Sequence, residues 1–443
     1  MYGYYLDLAL RSCRRSKALT ALVVLLMGCG VATCMVSWAV FRATSADPIP
    51  WKSDRLFVPQ IDNFGPAHHW KGEPPILLSY TDAEALLHAR QARRQTLIYG
   101  SKWAVLPDDA QRQPFSQEGD AVSSDFFAMF DVPFRYGGGW SVSDDDRRAA
   151  VAVISSALNQ KLFGGANSVG HDINLDAHAY RIVGVLDDWN PSPRFFDVSS
   201  TQFPFNHPRE LYIPFSRAID MKKGTTGNFY CSADAANPDL PNWDSVLHSE
   251  CAWIAGWVEL SSPADVEHYR EYLRNYAAEQ QRLGRFAWAP NIRLSNVRQW
   301  LSLPLNHVVP KASALSMIVA VSFLLICLVN VVGLMLARFM WRAPEIGVRR
   351  ALGASRGAIY RQFLTEAAAI GLAGGVLGLL LTALGMGGID RMFEPAIARL
   401  ARLDASLVLL TVLVAVATTL IAALYPTWRA AQVQPAWQLK SNG

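Results

Sequence analysis

The sequence predicts an α-helical membrane protein with four transmembrane helices and a large α+β periplasmic domain between the first two. Three observations carry this. Four apolar runs, Ala18–Phe41, Ala312–Ala337, Phe363–Gly388 and Ala405–Trp428, each hold about 24 to 26 residues, enough to cross a hydrocarbon core of about 30 Å with some tilt. A stretch of about 270 residues, 42–311, separates the first two runs and has the mixed composition of a folded domain. Charge also changes from segment to segment: residues 1–41 hold 4 Lys/Arg against 1 acid, 42–311 hold 26 against 31, and 312–443 hold 11 against 5.

Read by the positive-inside rule, both termini and the loop 338–362 are cytoplasmic and 42–311 is periplasmic. The expected order is a cytoplasmic amphipathic helix at 1–17, spans at 18–41 and 312–337 flanking the outer domain, and the loop at 338–362. A span at 363–388, a short periplasmic loop at 389–404, a span at 405–428 and a cytoplasmic tail at 429–443 follow. The place predicted is the bacterial inner membrane. Arg11, Arg14, Arg15 and Lys17 before an apolar core also describe a secretory signal, but a signal core is about 7–15 residues and this one is longer. The first run therefore reads as an uncleaved anchor. Glu366 and Pro426 fall near span ends, where interfacial placement is cheap. Trp38, Trp300, Trp341 and Trp428 fall where an aromatic belt is expected. The mild net charge of +4 is thus a topology signal and not a nucleic-acid footprint.

Cys13 is placed in the cytoplasm, and Cys29, Cys34 and Cys327 sit in spans as small packing residues. Cys231 and Cys251 are the exterior pair, and an oxidising compartment predicts a disulfide between them, closing a surface insertion.

Within the outer domain two strand–helix–strand patterns flank a middle region. The first is Ile76–Tyr80, a helix from the cap-like Thr81-Asp82 to Arg93, then Thr96–Tyr99. The second is Trp253–Leu260, a helix opening at Ser262-Pro263 and running to about Arg282, then Asn291–Leu294. They suggest a split βαβ part with an inserted β-rich part, in which Val151–Ile154 and Tyr180–Leu186 are strands. Residues 190–245, rich in Pro, Asn, Ser and aromatics, read as surface-wrapping loops. Asn296–Lys311 is a candidate stalk toward the second span, despite Pro304 and Pro310.

Catalytic chemistry finds little support. Asp144-Asp145-Asp146 with Arg147-Arg148 lacks the glycine and glutamate of a calcium loop and reads as a solvated turn. His68-His69, and His171 with His178, lack further ligands at zinc spacing. Gly137-Gly138-Gly139 has no phosphate-cradling context. No G-x-x-x-x-G-K-[ST] occurs, so no ATP, metal or other cofactor is expected on this chain.

The segment Ala343–Glu366 stands out. It carries Arg349, Arg350, Arg356 and Arg361, with Glu345 as its acid away from the end. Ile346, Leu352, Ile359 and Phe363 recur at roughly helical spacing, predicting a short helix at the membrane surface. Two readings stand open: a topology anchor on anionic lipid, and a docking element for a cytoplasmic partner. In the third run, Gly371-x-x-x-Gly375 and Gly374-x-x-x-Gly378 permit close helix approach, either to this chain's own spans or to a second chain.

Several stretches, in order, resemble the MacB-like (FtsX/LolC-type) permeases of ABC systems. They are Leu8–Lys17, Val122–Phe127, Val151–Ser155, Leu162-Phe-Gly164, Val169-Gly170, Tyr180–Val185, Glu345–Ala354 and Tyr425–Ala431. The resemblance implies that Glu345, Ile346, Gly347, Arg349, Arg350, Leu352 and Gly353 dock on a cytoplasmic ABC ATPase. With no P-loop here, that ATPase is expected to be a separate subunit holding ATP and Mg, and this chain is not itself an enzyme. The resemblance further implies a dimer with a second copy or a sister permease, seamed by the first two spans. The function implied is mechanotransmission: hydrolysis moves the periplasmic domain and drives export of a peptide or antibiotic-like molecule toward an adaptor and an outer-membrane channel. Lipoprotein extraction and signalling to a periplasmic hydrolase are the alternatives. Residues 187–257, rich in Trp, depart from the usual family core.

Overall fold

The computed structural model describes residues 16–66, 72–107, 113–198, 205, 208–231, 240–303, 311–392, 401 and 403–431. The amphipathic helix expected before residue 16, Cys13, His68-His69, Pro304 and Pro310, most of the 389–404 loop and the tail from 432 lie outside the described residues. The chain divides into two compact units, Ala46–Val308 and Met1–Ser45 with Val309–Gly443.

In the second of these units, four described helices are long and apolar enough to cross a membrane: Lys17–Thr44, Lys311–Trp341, Arg356–Met392 and Ala405–Ala431. They are called spans 1 to 4. The third packs on both the first and the fourth, because its glycines leave room for them. A methyl at Gly371 would lie 3.0 Å from the Val416 Cα, and one at Gly375 would lie 3.3 Å from the Ala415 Cβ, both on span 4. On the opposite side, methyls at Gly374 and Gly378 would lie 3.2 Å from the Met27 Cβ and 3.4 Å from the Val31 Cγ1 of span 1. Both small-residue motifs therefore pack against this chain's own helices.

The outer unit is built on one mixed sheet. Its strands are β1 Leu56–Ile61, β2 Leu78–Ser79, β3 Arg94–Leu106, β4 Phe115–Val122, β5 Phe134–Gly137, β6 Val151–Ile154, β7 Asp172–Leu175, β8 His178–Leu186, β9 Leu211–Pro214, β10 Ala252–Glu259 and β11 Ile292–Asn296. The order is β11-β1-β10-β3-β4-β9-β6-β8-β5, with β2 on β10 and β7 joining β3 to β8. Strand β1 pairs antiparallel with both β10 and β11, so the helix Pro263–Arg282 crosses between two parallel strands with β1 inserted between them. That helix opens with a capping box, Ser262 with Asp265, and Pro263 in its first turn. The first strand–helix–strand unit joins the same sheet because β10 pairs antiparallel with β2 and β3.

The structure corrects four local expectations and adds one strand. The first helix is Tyr80–Ala89, capped by the Ser79 hydroxyl and ended by Arg90 at φ 48°, and does not run from Thr81-Asp82 to Arg93. Strand β1 was not visible in the sequence, because all six residues are buried and no polar alternation marks them. Residues 190–198 do not wrap the surface: Phe195 and Phe196 are buried against Phe126, Phe130 and Trp257, and the Trp257 indole donates to the Phe196 carbonyl at 3.0 Å. A run of aromatics that carries this much apolar area goes inside regardless of the prolines around it. Trp300 is likewise buried, 6.4 Å from Trp257, and is a core residue of the outer unit. Finally, Asp144–Asp146 is no mere solvated turn. It ends a helical turn, Val142–Asp146, in which Asp145 accepts from the Ser124 amide at 2.6 Å and the Trp140 indole at 2.9 Å.

Candidate functional site

The segment after span 2 begins with Arg342, at the N-cap position of a short helix, Ala343–Ala351, with Pro344 in its first turn. This helix, called the coupling helix after the role the family resemblance implies, ends because Gly353 takes φ +99°, a conformation side chains rarely adopt. There the Gly353 amide donates to the Arg350 carbonyl and the Ala354 amide to the Arg349 carbonyl, both at 3.1 Å. Ser355 then opens span 3, its hydroxyl accepting from the Ala358 amide at 3.2 Å. Gly353-Ala-Ser-Arg-Gly357 thus has the G-x-S-x-G spacing of a nucleophile elbow, but it joins two helices and its serine is a helix cap.

The glycine break changes which residues share a face. Ile346, Ile359 and Phe363 are buried, while Leu352 is 82% exposed. A single helix bearing all four on one side, as their spacing suggested, does not form. Ile359 and Phe363 belong to the first turns of span 3, and the coupling helix turns Ile346 and Gly347 inward. Its outward large apolar residues are Val348 and, at its C-cap one turn on, Leu352, 54% and 82% exposed; Pro344, Ala351 and, just before it, Met340 and Trp341 are exposed too.

The charges divide: Arg356 and Arg361 are exposed, whereas Arg338, Arg342 and Arg349 pair within the chain. Arg349 pairs with Glu345 at 2.8 Å and donates to the Gln362 side chain of span 3 at 3.1 Å. Glu345 also lies 3.7 Å from the Arg342 Nε. Arg350 is half-buried and engaged within the chain. Arg338 and Arg342 both pair with Glu366, which is buried. Sequence reasoning missed this cluster and Val348. The signal available was Arg338 and Arg342 at i, i+4, facing the sole acid in the first three turns of span 3.

In the outer unit, Cys231 and Cys251 are disulfide-bonded, tying the segment before the described α-helical turn Trp243–Leu247 to the start of β10. Beside it, the Arg285 guanidinium grips two carboxylates, Asp82 at 2.6 and 2.9 Å and Glu250 at 2.7 and 2.8 Å. Among the described residues no group of three or more His, Cys, Asp or Glu could hold a metal ion. The helix-capping Asp144 carboxyl is held below its usual range by hydrogen bonds from Ser141. Asp145 is pushed up by burial against the Ser124 and Trp140 donors.

A family model of the MacB-like periplasmic core domain matches residues 20–276, more than half of the chain, and one of the FtsX-like permease C-terminal matches residues 317–435. The chain belongs to the MacB-like ABC transporter permeases. Permeases of this family are integral membrane proteins with a periplasmic domain and work with ABC ATPases. Among its relatives is the pyoverdine export ATP-binding/permease protein PvdT of Pseudomonas aeruginosa, 27% identical over 370 residues, covering 83% of this chain and 48% of the relative. Another is the macrolide export ATP-binding/permease protein MacB of Rhodopirellula baltica, 27% identical over 237 residues, covering 52% and 32%. The chain spans about half or less of the length of the curated relatives it matches. Among solved structures, the periplasmic region of MacB from Actinobacillus actinomycetemcomitans covers 56% of this chain and 92% of its own, at 13% identity and a TM-score of 0.35.

Proposed function

We propose that this MacB-like permease is the mechanotransmission subunit of an ATP-driven export system, and that Ala343–Leu352 is where a cytoplasmic ABC ATPase docks. The arginine excess around this loop supports its placement on the cytoplasmic side, with both termini. The observation that carries the docking reading is the exposed pair Val348 and Leu352 on a helix whose other face is fixed to its own spans. An apolar pair one turn apart on a short helix suits a groove on a partner, and a partner that buried it would remove the exposure. Glu345 and Arg349, which already bind each other, would shape the helix more than contact the ATPase. ATP and Mg would sit on that ATPase. Hydrolysis there would move the spans and the periplasmic domain, and the names of the relatives, exporters of pyoverdine and macrolides, support export as the outcome. A second permease copy or sister permease, an adaptor and an outer-membrane channel would complete the path.

The test is co-purification of an ABC ATPase with the full chain from detergent-solubilised membranes. Burial of one large aliphatic side chain is worth about 1.5–3 kcal/mol, so Leu352→Glu should weaken the complex by at least about tenfold, and Val348→Glu should act the same way. Both positions are exposed, so the membrane fold should be retained. Unchanged association of both variants would reject the docking surface and return the segment to a lipid anchor.

A further inference from the structure

One buried carboxylate ties together the helices that meet at the coupling segment. Glu366, in span 3, receives the guanidinium of Arg338 from span 2 and that of Arg342 from the junction with the coupling helix, the latter at 3.1 Å. Arg338 and Arg342 are one helical turn apart and so reach the same side. Each then makes a second contact. Arg338 donates to the Thr20 hydroxyl of span 1 at 3.3 Å, and Arg342 lies 3.7 Å from Glu345 on the coupling helix. Glu366 thus joins three spans and the junction residue that sets the angle of the coupling helix.

Packing alone could hold these helices. Phe339 and Phe363 already meet at 4.3 Å between ring centroids, and Ile346 of the coupling helix is buried. A buried ion cluster adds little stability over apolar residues of similar volume, because desolvation offsets the attraction. What it adds is direction, since two guanidinium groups on one carboxylate accept only a narrow range of helix orientations.

We propose that Glu366 is a positioning residue that locks the coupling helix to spans 1 to 3, so that a push on the helix reaches the spans as one rigid movement. The proposal takes from the docking reading only the source of the push. The lock belongs to this chain and is tested with no ATPase present.

The experiment places spin labels at Leu352→Cys and Leu372→Cys, both exposed, in the full chain with Cys13, Cys29, Cys34 and Cys327 replaced by alanine. Pulsed dipolar spectroscopy then reads the distance between the coupling helix and span 3. The otherwise unsubstituted chain should give one narrow distribution. Glu366→Gln strands buried Arg338 and half-buried Arg342 and is expected to broaden it, with loss of thermal stability. The deciding variant is Arg338→Met/Arg342→Met/Glu366→Leu, which removes all three charges while keeping volume. It should melt with the unsubstituted protein yet lose the single narrow distribution. A distribution that stays narrow in this variant overturns the lock and assigns helix orientation to Phe339, Ile346 and Phe363. Arg349→Ala is the comparison, expected to leave the distribution narrow. Broadening in Arg349→Ala with none in the triple variant would place the lock at Arg349–Gln362 and also overturn the proposal. An ATPase that does not bind the unsubstituted chain would reject the docking reading and leave these distances as they are.

Discussion

Replacing Arg285 tests how the two halves of the split βαβ part are held together. Its guanidinium accepts no substitute geometry: both oxygens of Asp82 and both of Glu250 lie within 2.9 Å, and the Ser79 hydroxyl is 3.1 Å away. Asp82 opens the helix after β2, Glu250 leads into β10, and Arg285 follows the helix Pro263–Arg282, so one side chain spans both units. In Arg285→Met the Asp82 carboxylate would remain buried, with the Tyr276 and Ser79 hydroxyls still donating at 2.8 and 2.6 Å. Breaking a buried pair costs about 3–5 kcal/mol. The low end applies, because those two hydroxyls stay and the Glu250 side chain, 40% exposed, can return to water. About 3 kcal/mol in a domain of this size lowers the melting temperature by roughly 6–12 °C. The assay is thermal unfolding of the solubilised full chain followed by tryptophan fluorescence, since most of the tryptophans fall between residues 46 and 308. Arg285→Lys should cost about half as much, because an ammonium cannot serve two carboxylates bidentately. Asp82→Asn/Arg285→Met should recover part of the loss by removing the stranded charge. A shift under about 2 °C in Arg285→Met would refute the reasoning and leave β10 pairing and the Tyr276–Asp82 hydrogen bond as sufficient to hold the halves.

Three further outcomes follow from other contacts. Replacing Cys231 and Cys251 with serine removes a cross-link over 20 residues and should cost about 3 kcal/mol, read in the same melt; an unchanged melt would mean the loop is closed by other contacts. Gly371→Leu should destabilise the membrane unit by about 1–3 kcal/mol, since its Cβ meets span 4 backbone. Gly333→Leu, where nothing lies within 4 Å, should be silent. Burial pushes Asp120 up to about 7, against the opposing pull of Arg209 and Arg194 and with a further push from Asp197. A raised folded-state value means that its contribution is full below the ordinary carboxylate range and is lost as pH rises through the folded value. The outer unit should therefore lose stability through Asp120 between about pH 4 and pH 7, and Asp120→Asn should flatten that part of the profile. An identical pH profile in the variant would show that Asp120 stays ionised throughout.

What the sequence discloses depends on whether a residue's signal is local. The spans were legible because apolar runs of their length have few other uses. The helix after Ser262-Pro263 and the strands at Val151–Ile154 and Tyr180–Leu186 were legible from caps and β-branched runs. Strand β1 is not, because a strand buried on both faces has no alternation, and its Pro59 is of a type uncommon inside sheets. It pairs with β10 only through Leu56 and Phe57, so Pro59 sits beyond that contact. Phe195 and Phe196 read locally as loop because prolines surround them, yet their partners Phe126 and Trp257 lie about 60 to 70 residues away in the chain. No local pattern records a contact at that distance.

The arginine-rich segment shows the same limit at the site itself. Its composition fits the cytoplasmic side and a docking role, but composition does not say where a guanidinium points. Arg349 turns to Glu345 and Gln362, and Arg338 and Arg342 turn to Glu366. Partners at i, i+4 are readable from the sequence, whereas the partner in the next helix depends on the turn that Gly353 creates. That turn also moves Leu352 out of the apolar stripe and into solvent. If the proposed docking holds, the residues that offer this helix to another protein are its two exposed large aliphatics, and the residues that make a push on it consequential are the ion pairs of Arg338 and Arg342 with Glu366 behind it. A docking surface without the inward ion pairs would tilt under load, and the ion pairs without the surface would have nothing to transmit. Substituting Leu352 and substituting Glu366 should therefore fail differently: the first by losing the partner, the second by keeping the partner and losing the fixed helix.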